Sequence, residues 1–273
     1  GASLAVAGVL MQGLFRNPLA DPSVIGTNAG AVLGGGGALV LYELNRDHLP
    51  FPAELVLPIG CIAGGMAALG VVLAVARRSR DSLSVLLAGV VIAMFFTALG
   101  ALLNAWVAND WQLGRALMRF HLGSIDTTSG NLLLLALPLC LGGVAAAWWW
   151  GRQLDVLLTG EEEACSLGVD LTTARRWLIV WATYLVAAAV SIGGSIAFVG
   201  LVVPHLLRGQ VGAQHRRLVP CAALGGAVFV LACDIVVRLL PTEGQLPLGV
   251  LTGLVGAPLF LLLLLRARRE AAL

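Results

Sequence analysis

The chain of 273 residues is 59% hydrophobic and only 12% charged, with a mean hydropathy of +0.92 and a formal net charge of +2. Soluble domains run nearer to roughly 45–50% apolar and about 25% charged, so a single core cannot hide this much apolar surface and lipid must cover the rest. All 17 basic residues are arginines; with no lysine there is no Walker A phosphate loop and no Schiff-base cofactor, and so small a net charge offers nothing to nucleic acid.

Residues 1–13 read as the end of an apolar helix. The chain opens in mid-helix without an initiator Met or a charged flank, and reads as one that has lost an N-terminal part. The stretch "MQGLFRNPLADPSVIGTNAGAVLGG" (11–35) then interrupts the apolar pattern with Arg16, Asn17, Pro18, Asp21 and Pro22. It reads as a turn at the membrane surface. The prolines stop one helix and start the next, and Asn17 and Asp21 satisfy exposed backbone amides.

Apolar runs of spanning length follow at 24–42, 53–76, 83–107, 131–150, 218–240 and 247–265. Residues 176–207 are long for one span and tight for two. Arginine placement decides between them. With Arg16 on the cytoplasmic side, strict alternation places thirteen arginines inside and leaves Arg46, Arg115, Arg119 and Arg238 outside, as the positive-inside bias requires. That alternation needs 176–207 to cross twice, as two short helices breaking near Gly193-Gly194 and ending near Pro204. The expectation is an all-α polytopic membrane protein with about nine crossings and a cytoplasmic C-terminus.

Small-residue clusters at Gly30 to Gly37, Gly64-Gly65 and Gly225-Gly226 predict close helix packing. The five cysteines form no CxxC pair and read as buried free thiols. Trp148 to Trp150 read as part of an interfacial aromatic belt. His121 reads as an exposed loop histidine, with a haem or metal ligand as the sharper alternative; His48 and His215 lie in polar loops.

The longest polar inside segment is 151–175, "GRQLDVLLTGEEEACSLGVDLTTAR", which reads as two short helices. Thr159 caps the second, Glu162 completes a capping box, and Glu161, Glu162 and Glu163 meet the positive end of the helix dipole. Gly168 ends it. The residues alone leave two readings open: a well-capped surface helix, or a docking surface for a cytoplasmic partner.

Five stretches in order, "LAVAGVLMQGLFRNPLADPSVIGTNAGA", "LLAGV", "LLTGEEEACSLGVDL", "IAFVGLVVPHLLR" with "QHRRLVPCAALGGA", and "LPLGVLTGLVGAPLFLLLLLR", resemble the FecCD-type permeases. These are membrane subunits of type II ATP-binding-cassette importers for iron–siderophore complexes, haem and vitamin B12. The resemblance implies one permease domain over 1–273, built on a ten-helix fold with inverted repeats whose first helix is missing here. It implies a homodimer in the bacterial inner membrane, two cytoplasmic ATPase subunits that use ATP and Mg, and a periplasmic substrate-binding protein. The chain itself would bind no cofactor and hydrolyse nothing. Within the 151–175 loop, Leu157, Thr159, Gly160, Glu161, Glu162, Glu163, Leu167 and Gly168 would contact the ATPase. Arg238 would dock the binding protein, with an i,i+4 pair to Asp234 as the plain alternative. Asp81, Ser82, Leu83 and Ser84 would form a cytoplasmic gate, and Thr97 and Asn104 would line the pathway.

Two other classes compete. An ion-coupled transporter needs carboxylates within the membrane, and the apolar runs contain only Asp234, near an end. An intramembrane serine–histidine enzyme would rest on Ser195 and His205, but Ser195 lacks the GxSxG setting.

Overall fold

The computed structural model describes residues 1–45, 52–76, 82–125, 130–157, 166, 170–240 and 246–270. Ten α-helices appear among them, with no strand: α1 (Ala2–Leu14), α2 (Thr27–Leu44), α3 (Ala53–Ala76), α4 (Ser82–Trp106), α5 (Trp111–Leu122), α6 (Gly130–Leu157), α7 (Leu171–Gly193), α8 (Val199–Val211), α9 (His215–Leu239) and α10 (Leu248–Glu270). Nine of these occupy the nine segments expected from apolarity. Five are long and apolar enough to cross a membrane by length and composition alone, namely α3, α4, α6, α7 and α9.

The tenth, α5, falls where the sequence suggested only a loop. Asp110 caps it by accepting from the Gln112 and Leu113 amides, and Gly123 at φ 76° ends it. Leu113 and Leu117 bury one face against Val40 and Val107. His121 therefore lies on a helix and is half-buried, which corrects the exposed-loop reading. Its Nδ1 lies 2.8 Å from the Leu117 carbonyl, and Nε2 lies against Gly100.

The centre of the bundle is α1, buried from Ser3 through Gly13, with α7 beside it. In α7, 61% of the most apolar window is buried, against 17% in α4. Buried helices approach closely only where side chains are small. A methyl on Gly8 would overlap the Gly200 carbonyl, and one on Gly34 would overlap that of Gly60.

The 176–207 region does divide at Gly193-Gly194, but α7 is a full 23 residues and α8 runs through Pro204 to Val211. The break, 194–198, is held by partners, as irregular backbone at membrane depth must be. Ser195 donates its amide to the Phe120 carbonyl at 3.2 Å, and its hydroxyl accepts from Asn28 at 3.1 Å. Ser195 and His205 share no hydrogen bond, so the serine–histidine pair does not form. Pro204 lacks the N–H that would bond Gly200 O. Gln12 of α1, 1% exposed, supplies the missing donor to the Gly200 and Leu201 carbonyls at 3.4 and 3.3 Å. Pro220 frees Arg216 O in the same way, and the Trp148 indole takes it at 3.0 Å.

The α1–α2 connection turns as its residues predict. Asn17 Oδ1 accepts from the Leu19 amide, and Asp21 Oδ1 from the Ser23 amide, opening a 3₁₀ turn at Pro22–Ile25. The connection then folds inward, and Asp21 Oδ2 lies beside Gly200 in the first turn of α8. Burial pushes the Asp21 carboxyl up from its ordinary range, opposed by the Ser23 hydroxyl and amide. The positive end of α8 favours the charge there.

Candidate functional site: the two ends of the bundle

At one end, four elements meet. Asp155, in the last turn of α6, accepts from the backbone amides of His215 and Arg216 and lies 2.9 Å from His215 Nδ1. One carboxylate thus caps α9 and neutralises its dipole. His215 is fully buried, with its ring against Gly13 at the end of α1. It belongs to the core and not to a polar loop as the sequence suggested. Arg208 of α8 reaches Gln12 Oε1 at 3.4 Å. Arg16 donates to the carbonyl of Leu157, the last residue of α6. Trp150 stacks on Trp177 at 6.3 Å, bringing the start of α7 to the same end. Of the three tryptophans, only Trp149, 74% exposed, keeps the free interfacial setting.

This end gathers Arg16, Arg152, Arg175, Arg176, Arg208, Arg216 and Arg217. It also anchors both flanks of the segment expected to couple. On one side Leu157 is held by Arg16. On the other, Asp170 binds the Thr173 amide and hydroxyl at 3.2 and 2.6 Å, capping α7. Thr159, Gly160, Glu161, Glu162, Glu163, Leu167 and Gly168 lie outside the described residues, as does Asp81 of the expected gate. Ser82, Leu83 and Ser84 form the first turn of α4.

The opposite end carries Arg115, Arg119 and Arg238. Arg238 Nε lies 2.8 Å from Asp234 Oδ2, so the i,i+4 pair weighed against a docking role does form, and the Arg238 side chain is 56% exposed. Arg115, exposed, and Arg119, half-buried, lie on one face of α5 and line an open cavity of about 550 Å³ together with residues of α2, α3, α6 and α7. Sequence reasoning missed this site because it treated α5 as a loop.

Between the ends, α4 presents a largely open face. Thr97 bonds back to the Ala93 carbonyl at 2.8 Å and lines a shallow groove of about 540 Å³ with Val90, Met94, Ala101 and Ser23. Asn104 is half-buried and is not among the lining residues of that groove.

Long apolar helices around a buried central helix, with arginine concentrated at one end, define a polytopic membrane protein of the transporter class. The chain belongs to the FecCD transport family, which it matches over residues 1–266. It is 40% identical to the hemin transport system permease protein HmuU of Yersinia pestis, over 99% of this chain and 80% of that protein. It is 39% identical to the cobalamin import system permease protein BtuC of Halobacterium salinarum, over 100% of this chain and 71% of that one. An inward-facing structure of a metal-chelate type ABC transporter superposes with a TM-score of 0.85 at 34% identity, covering 97% of this chain and 82% of the other.

Proposed function

We propose that this chain is the transmembrane permease subunit of an ATP-binding-cassette importer that carries an iron chelate (a siderophore complex or haem) or cobalamin across the bacterial inner membrane. Family membership is the observation that carries the reading, and relatives for haem and cobalamin support that range of substrates. The arginine-rich end faces the cytoplasm. Two copies enclose the pathway, and the open α4 face with Thr97 supports a surface that a second copy covers. A separate ATPase pair uses ATP and Mg, and a binding protein delivers substrate at the opposite end, docking on Arg238, which is 56% exposed and paired with Asp234.

The coupling loop is 151–175, with its ATPase contacts between Leu157 and Gly168. An ATPase pushing on it acts on Leu157 and Asp170, and through the Asp155–His215 and Arg16 contacts on α9 and α1. Such a push tilts helices and alternates access of the central cavity. Co-expression of the full-length permease with a tagged ATPase tests this. Wild type should co-purify, while a variant with Glu161, Glu162 and Glu163 changed to Arg and Gly168→Trp should be lost from the complex. Equal retention of the two would refute the coupling assignment.

A further inference from the structure

The three described arginines at the outer end are not alike. Arg238 is matched by Asp234 at 2.8 Å. No carboxylate pairs with Arg115 or Arg119 among the described residues, and the nearby Asp110 carboxylate is engaged in capping α5. Two like charges one turn apart on a helix face repel, and arginine is disfavoured on this side of the membrane. Their setting is concave. Trp111, Leu57 and Phe120 supply apolar wall, and Ser124 and Ser191 add hydroxyls. The Ser191 hydroxyl already donates to the Ala188 carbonyl, so the two guanidiniums are the charged donors of the lining, beside the Gln112 amide and the Ser124 hydroxyl. An apolar cavity of this size with a few convergent polar groups fits a small molecule better than a flat protein face. Guanidinium forks select carboxylates, to which they bond bidentately.

We propose that Arg115 and Arg119 form a carboxylate-binding site at the outer mouth of the permease. It takes two acidic groups of an incoming chelate, spaced by about one helical turn, roughly 5–6 Å. The site selects carboxylate-bearing chelates over neutral ones. This rests on the importer reading above.

The test uses full-length permease in nanodiscs, with hemin, hemin dimethyl ester, ferric dicitrate and cyanocobalamin as probes. Saturable binding of hemin or ferric dicitrate is expected, weakening roughly tenfold for each arginine changed to Gln. Binding should weaken with salt, and hemin dimethyl ester should bind wild type no better than hemin binds the R115Q/R119Q variant. Size-exclusion and thermal profiles identify misfolded variants, and R115K/R119K should retain part of the affinity. Unchanged binding in R115Q/R119Q would overturn the proposal, as would binding of cyanocobalamin alone. Intact chelate binding with lost affinity for the cognate binding protein would also overturn it, marking a docking surface instead. None of these outcomes touches the importer reading, which fails separately if no ATPase associates with the permease.

Discussion

The two ends of the bundle use the same residue types for opposite purposes. At the arginine-rich end, a shared set of polar contacts ties four helices together, although Gln153 Oε1, Arg208 Nε and His215 Nε2 are left without a partner among the described residues. Asp155 takes three donors, Gln12 bridges Arg208 to two carbonyls, and Arg16 closes on Leu157. At the other end, Arg115 and Arg119 face a cavity without an acidic match among the described residues. A tied end transmits displacement as a unit, because buried charge-assisted bonds are costly to break. An end with unmatched donors is prepared for a ligand. The comparison separates force from recognition within one chain.

The largest way to break the tied region is steric. Gly8→Val drives a branched side chain into the Gly200 backbone, which cannot rotate away. We expect failure to assemble, read as loss of the folded peak in detergent. Asp155→Ala comes next. It uncaps α9 and strips the partner from buried His215, at a cost of about 3 kcal/mol, measurable by denaturant unfolding. Trp148→Phe keeps the ring but orphans the Arg216 carbonyl freed by Pro220, so about 1 kcal/mol is expected from the same assay. Asp234→Asn touches only a half-exposed i,i+4 pair and should cost no more than about 0.5 kcal/mol. A larger loss there would place Arg238 in the structural framework and weaken its case as a docking residue. The Asp21 carboxyl sharpens the contrast by its pH dependence. Its folded-state pKa is raised, so its contribution is full below the unfolded value and is lost as pH rises through the folded one. Thermal scans across that window should flatten in Asp21→Asn.

Much of the fold was legible because lipid imposes a simple rule: long apolar runs become helices. The nine apolar helical segments, the break at Gly193-Gly194 and the glycine contacts between α2 and α3 all follow from it. The misses have a different cause. α5 is amphipathic rather than apolar, although Asp110, the i,i+4 pair Leu113 and Leu117, and Gly123 together marked it. His215 sits among Gln214, Arg216 and Arg217, which read as a polar loop. Its burial depends on Asp155, sixty residues earlier, and on Gly13, neither of which local sequence can reveal. Gln12 reads as a stray polar residue until the carbonyls freed at Pro204 are brought beside it.

ATP-driven uptake in proteoliposomes tests the central claim most directly. Full-length permease, its ATPase and the binding protein would be reconstituted, and accumulation of the loaded chelate followed with internal or external MgATP. The account predicts uptake that requires MgATP on the ATPase side and survives ionophores that collapse ion gradients. Uptake by the permease alone, driven by a proton or sodium gradient and abolished by those ionophores, would contradict it.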